Sequence, residues 1–390
     1  MAQQPEQAVS SEPTRPYIGG QAVLEGVMMR APTSFATVVR RRDGSLHVRE
    51  RAMVDARRSF TKLPFIRGMA SIGESLRLGG EALRFSAEQM ERDIVAEETA
   101  GAKKAGIGTS MLGVLRTVGY TLFLLTSADG DAETTALVEE KPAKDEKKGS
   151  RAPMTMMVVL MVAFMIALPQ AAAAGVNKVL HLGFEVQSPA FQAMTGAFKL
   201  TIVVGYLLLV RNVFADIRRV FQYHGAEHKT ITTYEANEAL TVENARAKTT
   251  LHPRCGTTFL VMVAMVSILV FTAVGGFLPK IQTGNAALDN VVFFLEKLPF
   301  LPLIAAVTFE IQRLFARYCT TGPLRVLLWP GFLCQKITTI EPDDSQLEVA
   351  LASLRATLFR EQGESSKSGG DVRYASFDAL MKAPQLRRAA

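Results

Sequence analysis

Apolar residues along this chain come in blocks, with charged and polar stretches between them. Residues 154–176 form a run about as long as the roughly 20 residues a helix needs to cross hydrocarbon. Runs at 198–214 and 259–278 follow the same pattern, and a fourth at 300–315 is weaker because Pro299 and Pro302 open it and Glu310 lies inside it. Together they predict about four transmembrane helices.

The polar parts carry other periods. From 63 to 92 the pattern is helical, and Gly68, Ser71, Ser75, Gly79, Ala82 and Ser86 make a stripe of small side chains that permits close helix approach. Arg67, Glu74, Arg77, Glu81 and Arg84 argue against a full crossing, so this helix is expected to lie against the membrane or its proteins. Residues 35–42 and 46–53 flank Asp43-Gly44, a strong hairpin signal. Residues 19–30, GGQAVLEGVMMR, read as a packed turn with Glu25 either ion-paired or contributing to a polar site. Arg116 and glycines interrupt the apolar stretch 106–126, which is expected to be an interfacial helix. The Asp, Glu and Lys run that follows reads as a flexible linker, 127–150. The segment 324–333 around Trp329 suits the headgroup level, and 346–359 is amphipathic, a helix docked on the cytoplasmic portion.

The predicted class is a mainly α, polytopic membrane protein with a cytoplasmic α+β portion that includes an N-terminal β-hairpin. Its expected divisions are a disordered tail at 1–16, an N-terminal cytoplasmic or interfacial region at 17–126, the linker, a transmembrane region at 151–340 with a polar loop at 215–258, a C-terminal helix at 341–362 and a disordered tail at 363–390.

Charge supplies orientation. Loops between the first two spans and between the last two hold only Lys178 and Lys199, and Lys280 and Lys297, near their ends. The middle connection carries Arg211, Arg218, Arg219, Lys229, Arg246, Lys248 and Arg254, so the positive-inside bias puts it and both termini in the cytoplasm. A net charge of +7 with dispersed Lys and Arg, and no RNA-binding or helix-turn-helix signature, makes the lipid bilayer rather than nucleic acid the expected partner. Cys255, Cys319 and Cys334 are too widely and unevenly spaced for a disulfide framework, which fits a reducing compartment. The first 20 residues lack the apolar run of a secretion signal.

The candidate chemistry is concentrated in the polar loop. His224, Glu227 and His228 form H-x-x-E-H, which on a helix puts both imidazoles on one face with a carboxylate beside them. Inverse zincins use this spacing for a metal pair and a general base. Some two dozen residues on, His252 and Cys255 form H-x-x-C, where Pro253 fixes the backbone and Gly256 lets the chain turn after the sulfur.

GGQAVLEGVMMR, PFIRG, FQYHGAEHK, TVENA, LHPRCGTTF, TFEIQR and ITTIEPDDSQLEVAL, in this order and with these spans, resemble the YqhQ-like family of bacterial membrane proteins over nearly all of residues 17–359. That family is described as predicted metal-dependent enzymes, which implies a metal site at the matching positions His224, Glu227, His228, His252 and Cys255, with Glu243 of TVENA a further candidate. It also implies a multi-pass protein of a bacterial cytoplasmic (inner) membrane. The segment 106–150 departs from the pattern as an insertion.

Two functions compete. In a zinc-dependent hydrolase, His224 and His228 hold zinc or another divalent metal, Cys255 or Glu243 adds a third ligand, and Glu227 activates water. In a scaffold or assembly factor, His224, His228, His252 and Cys255 fill all four positions and the metal only staples the loop. A transporter has less support, since Glu310 is the only convincing intramembrane ionisable group and no internal repeat is visible.

Overall fold

The computed structural model describes residues 15–54, 63–99, 136–137, 167–279, 283–319, 322–363 and 370–383. The predicted helix at 106–126, most of the linker and most of the first apolar run lie outside these residues.

The N-terminal residues build an antiparallel sheet in which β1 (Gly19–Val23), β2 (Gly26–Arg30), β3 (Ser34–Arg40) and β4 (Leu46–Val54) pair in chain order. A short β5 (Ala136–Leu137) joins the far end of β4, at Met53 and Val54. The hairpin expected around Asp43-Gly44 is β3–β4, turned at Gly44 with φ +83°. The GGQAVLEGVMMR stretch is a second hairpin rather than a packed turn: Val23 pairs with Gly26, leaving Leu24-Glu25 as a two-residue turn with Glu25 at φ +49°. Residue alternation missed it because both faces are covered, so the strands read as continuous apolar runs.

One sheet face carries Ala22, Val27, Met29, Ala36 and Val38, and the other Val23, Met28, Phe35 and Val39. The second face is covered by α1 (Ile66–Thr99) through Leu78, Ala82 and Phe85. The small-residue stripe of α1 does what its pattern allows. Gly79 lies so close to Gln21 that a Cβ would collide with it, Gly68 packs on Phe309, and the Ser86 hydroxyl donates to the Leu24 carbonyl at 2.6 Å.

Helix α2 (Leu168–Val179) is the described part of the first apolar run. Next come α3 (Pro189–Val213), α4 (Ala215–Glu235), α5 (Val242–Arg246) and α6 (Gly256–Val274), then α7 (Ala286–Lys297), α8 (Phe300–Tyr318) and α9 (Trp329–Thr338). Among the described residues only α3 and α6, the latter extended to Phe277, are long and apolar enough to cross a membrane on their own. A third crossing exists if α7 and α8, bent by 46° at the break, form one broken span. The described residues therefore hold two or three such elements rather than four. The fourth apolar run fails alone because Glu310, Arg313 and Arg317 bring charge into the second half of α8, while Pro299 sits at the break from α7. Glu310 pairs with Arg67 of α1 and accepts from the Phe65 amide at 3.2 Å; its ion-pair partner is thus across the helix interface, not Arg313 or Arg317.

The first face of the sheet receives α4 and α10 (Asp344–Glu361), which opens on a capping box between Asp343 and Gln346. The sequence pattern calls for one buried stripe, yet α10 is buried almost all round from Gln346 to Arg360. Its polar residues are accommodated by backbone: Ser353 donates to Ala36 O at 2.9 Å, Thr357 to Met29 O at 3.1 Å and Arg355 to Leu240 O at 2.8 Å. The expected tail at 363–390 is also corrected. Within it β6 (Asp371–Tyr374) pairs with β4, and α11 (Phe377–Lys382) buries Leu380. Such a short, largely polar strand gains its stability from pairing with the free edge of β4, which local composition does not report.

Candidate metal centre

Helix α4 is the pivot between the sheet and the apolar helices. It presents His224 and His228 toward the loop that returns before α6 and Glu227 toward β1, each of the three 1% exposed. That loop closes as a turn, with the Cys255 amide near the His252 carbonyl, and Cys255 then serves as N-cap of α6, its sulfur accepting from the Thr257 amide at 3.4 Å.

His224 Nε2 comes to 3.2 Å from Cys255 Sγ. Ligand atoms of His224, His228 and Cys255 all lie within 4.8 Å of one another, and all three residues are buried. The tautomers follow from the carbonyls behind the rings. His224 Nδ1 lies 3.0 Å from Thr338 O and His228 Nδ1 2.5 Å from Thr250 O. A carbonyl can only accept, so each Nδ1 carries the proton and each Nε2 keeps its lone pair for the shared space. His228 Nε2 is buried without a hydrogen-bond partner among the described residues, which is the condition a bound cation relieves.

Burial also holds the imidazoles neutral. Desolvation pulls His224 down to about 4, and His228 is driven well below its ordinary value by burial and then by the neighbouring histidines. Two neutral nitrogens and a thiol sulfur fit zinc better than a hard, oxygen-seeking cation.

The other candidates sit differently. His252 Nε2 faces Glu235 at 3.3 Å, and its ring centroid is 5.6 Å from that of His228, so it lines the site without joining the three-ligand group. Glu243 is exposed on α5 and stands outside the group. Glu227 is one residue from His228 but points to the sheet, against Gly20 of β1, where an added Cβ would lie 2.7 Å from its Oε1. Glu25 is engaged by Arg219 at 2.5 Å and by the Tyr223 hydroxyl at 3.2 Å.

Several supports carry no signal in the motif spacing. Gln335 of α9 clamps the His252 backbone from both sides, accepting from its amide at 2.8 Å and donating to its carbonyl at 2.7 Å. Gln312 of α8 donates to the Cys255 carbonyl at 3.1 Å, which places TFEIQR next to HPRCG. Lys229, 3% exposed, donates to the Arg246 carbonyl at 2.8 Å and pairs with Glu341. That ties TVENA and the IEP segment to the same helix.

Residues 63–360 match the family described as "Protein of unknown function (DUF1385)". "Uncharacterized protein YqhQ" of Bacillus subtilis (strain 168) is 30% identical over 359 residues, covering 90% of this chain and 95% of that protein. No solved structure matches. With three quarters of its length inside the profile and a relative aligned almost end to end, the chain belongs to the DUF1385 family, YqhQ-like proteins of unknown function.

Proposed function

We propose that this protein is a membrane-bound, metal-dependent enzyme of the hydrolase type. Its metal is held by His224, His228 and Cys255 at the end of the apolar helices that meets the sheet. The observation that carries the reading is the size of the ligand group: three donors converge while His252 is turned to Glu235, which leaves a coordination position for a reactant.

When bound, a divalent ion supplies Lewis-acid chemistry, polarising an oxygen and acidifying water toward neutrality. The chain supplies the rest. Thr338 O and Thr250 O orient the two imidazoles, an outer layer of the kind that fixes tautomer and raises ligand basicity. Glu227, buried and adjacent in the helix, accepts the proton at a carboxylate oxygen. Residues Arg211 to Arg254 keep the basic connection on the cytoplasmic side, so the site faces the inner surface of a bacterial cytoplasmic membrane.

A second reading is a structural zinc site in a scaffold or assembly factor, favoured by the burial of all three donors at 1% exposure. Cobalt substitution followed by absorption spectroscopy separates the two. Three protein ligands with one exchangeable position support the enzyme; a closed four-ligand set that does not respond to added anions supports the staple. Glu227→Gln that keeps the metal yet leaves every cellular phenotype of a deletion strain complemented rejects the hydrolase mechanism.

A further inference from the structure

Away from the metal centre, α2, α3, α6, α7 and the start of α8 line a narrow, half-open cleft whose walls include Lys199, Lys297, Ser267 and Gln192. Two lysines in one cleft between apolar helices were not visible in the chain order, where Lys199 and Lys297 read as loop-end charges. The structure starts α3 at Pro189, after the Ser188 cap that accepts from the Phe191 amide at 3.3 Å. Lys199 thereby sits well inside a helix apolar enough to cross a membrane. Lys297 ends α7 at the bend before α8 and is only 3% exposed.

Neither ammonium has a carboxylate partner among the described residues. Lys199 Nζ donates to Ser267 Oγ at 3.0 Å, and Lys297 Nζ donates to Gln170 Oε1 at 2.9 Å. Lys297 also lies 4.6 Å from the Phe293 ring centroid and 5.3 Å from that of Phe271. An ammonium has three donors, so these contacts leave hydrogen-bonding capacity and no counter-ion among the described residues. Ionisable groups in membrane segments are costly and are retained where they meet a substrate, an ion or a counter-charge. The remaining walls, Pro169, Ile268, Phe271 and Leu301, are apolar and suit a hydrocarbon chain.

We propose that this cleft binds the phosphate group of an anionic amphiphile, with Lys199 and Lys297 as the two cationic contacts and the apolar wall taking the chain. It is a separate site. Ser267 is twelve residues along α6 from Cys255, about 18 Å at the helical rise. The proposal rests on α3 and α6 lying in a bilayer, and it does not depend on the metal centre being catalytic.

The test uses the full chain purified in a neutral detergent, with binding of short-chain phosphatidylglycerol, phosphatidylcholine and inorganic phosphate measured by native mass spectrometry and equilibrium competition. Wild type is expected to take phosphatidylglycerol at least roughly tenfold more tightly than phosphatidylcholine. Lys199→Met and Lys297→Met should each weaken it by about tenfold, the scale of one charge-assisted contact. Lys297→Arg, which keeps the charge, should retain most of it. Inorganic phosphate that competes in a lysine-dependent way supports the same phosphate site with a soluble source; failure to compete assigns the source to lipid. Equal affinity for the two lipids, or a Lys199→Met/Lys297→Met variant that binds phosphatidylglycerol like wild type, overturns the proposal. Metal content of the double variant reports whether the rest of the protein is folded, and extraction without detergent would overturn the membrane placement itself.

Discussion

Glu227 occupies the space that a side chain at Gly20 would need, with its carboxylate 2.7 Å from where that Cβ would stand. Two motifs more than two hundred residues apart are therefore one contact, with β1 passing directly over the acidic residue of H-x-x-E-H. Gly20→Ala should displace the carboxylate or part β1 from α4. The expected cost is about 1–3 kcal/mol of stability, the scale of overpacking in a full core. Metal content should stay near wild type, because the atoms nearest the added Cβ belong to Glu227 and not to His224, His228 or Cys255. Denaturant unfolding combined with metal analysis checks both halves.

Ligand identity is the sharpest test of the centre. His224→Ala and Cys255→Ala should each remove stoichiometric metal from the purified protein, since each deletes one of three converging donors. His252→Ala and Glu243→Ala should leave the metal in place. A His252 variant that loses metal as completely as the Cys255 variant would show that the fourth position is filled by protein, in favour of the structural reading.

Gln335 makes a quantitative case for the outer support. Its side-chain amide satisfies both the amide and the carbonyl of His252 in a buried setting. Gln335→Leu would leave the His252 amide unpaired, at about 1–3 kcal/mol before relaxation, and its carbonyl with only the long contact to the Cys255 amide. Metal affinity should fall only as far as the 252–255 turn that carries Cys255 shifts, and by less than in the Cys255→Ala variant. A chelator competition curve measures it.

Acid sensitivity follows from the buried imidazoles. His224 has a folded pKa near 4 against 6.5 in an unfolded chain, because burial disfavours its charged form, and His228 is shifted in the same direction. Below 6.5 the unfolded chain takes up protons that the folded chain refuses, so stability is lost as pH falls from 6.5 through about 4. Chelator-stripped protein should show this as a lower midpoint of unfolding across that window. His224→Gln should flatten the slope.

Apolar run length, the Asp43-Gly44 turn, the small-residue stripe of α1 and the one-turn spacing of His224 and His228 were all legible along the chain, because each depends on neighbours within a few residues. The convergence of Cys255 on that pair, and the exclusion of Glu243 from it, were not. They depend on how α4, α6 and α9 cross, and a histidine turned to Glu235 reads the same in sequence as one turned to a metal. The number of spans among the described residues, two or three, follows from a related fact. Composition reports how apolar a stretch is, but the break between α7 and α8 and the early start of α3 at Ser188-Pro189 decide how much of it forms one helix. Local sequence thus determined which elements form and which chemistry they carry. Long-range packing decided which donors meet, which way each imidazole points and where two lysines are buried together, because those energies are set by contacts between residues far apart in the chain.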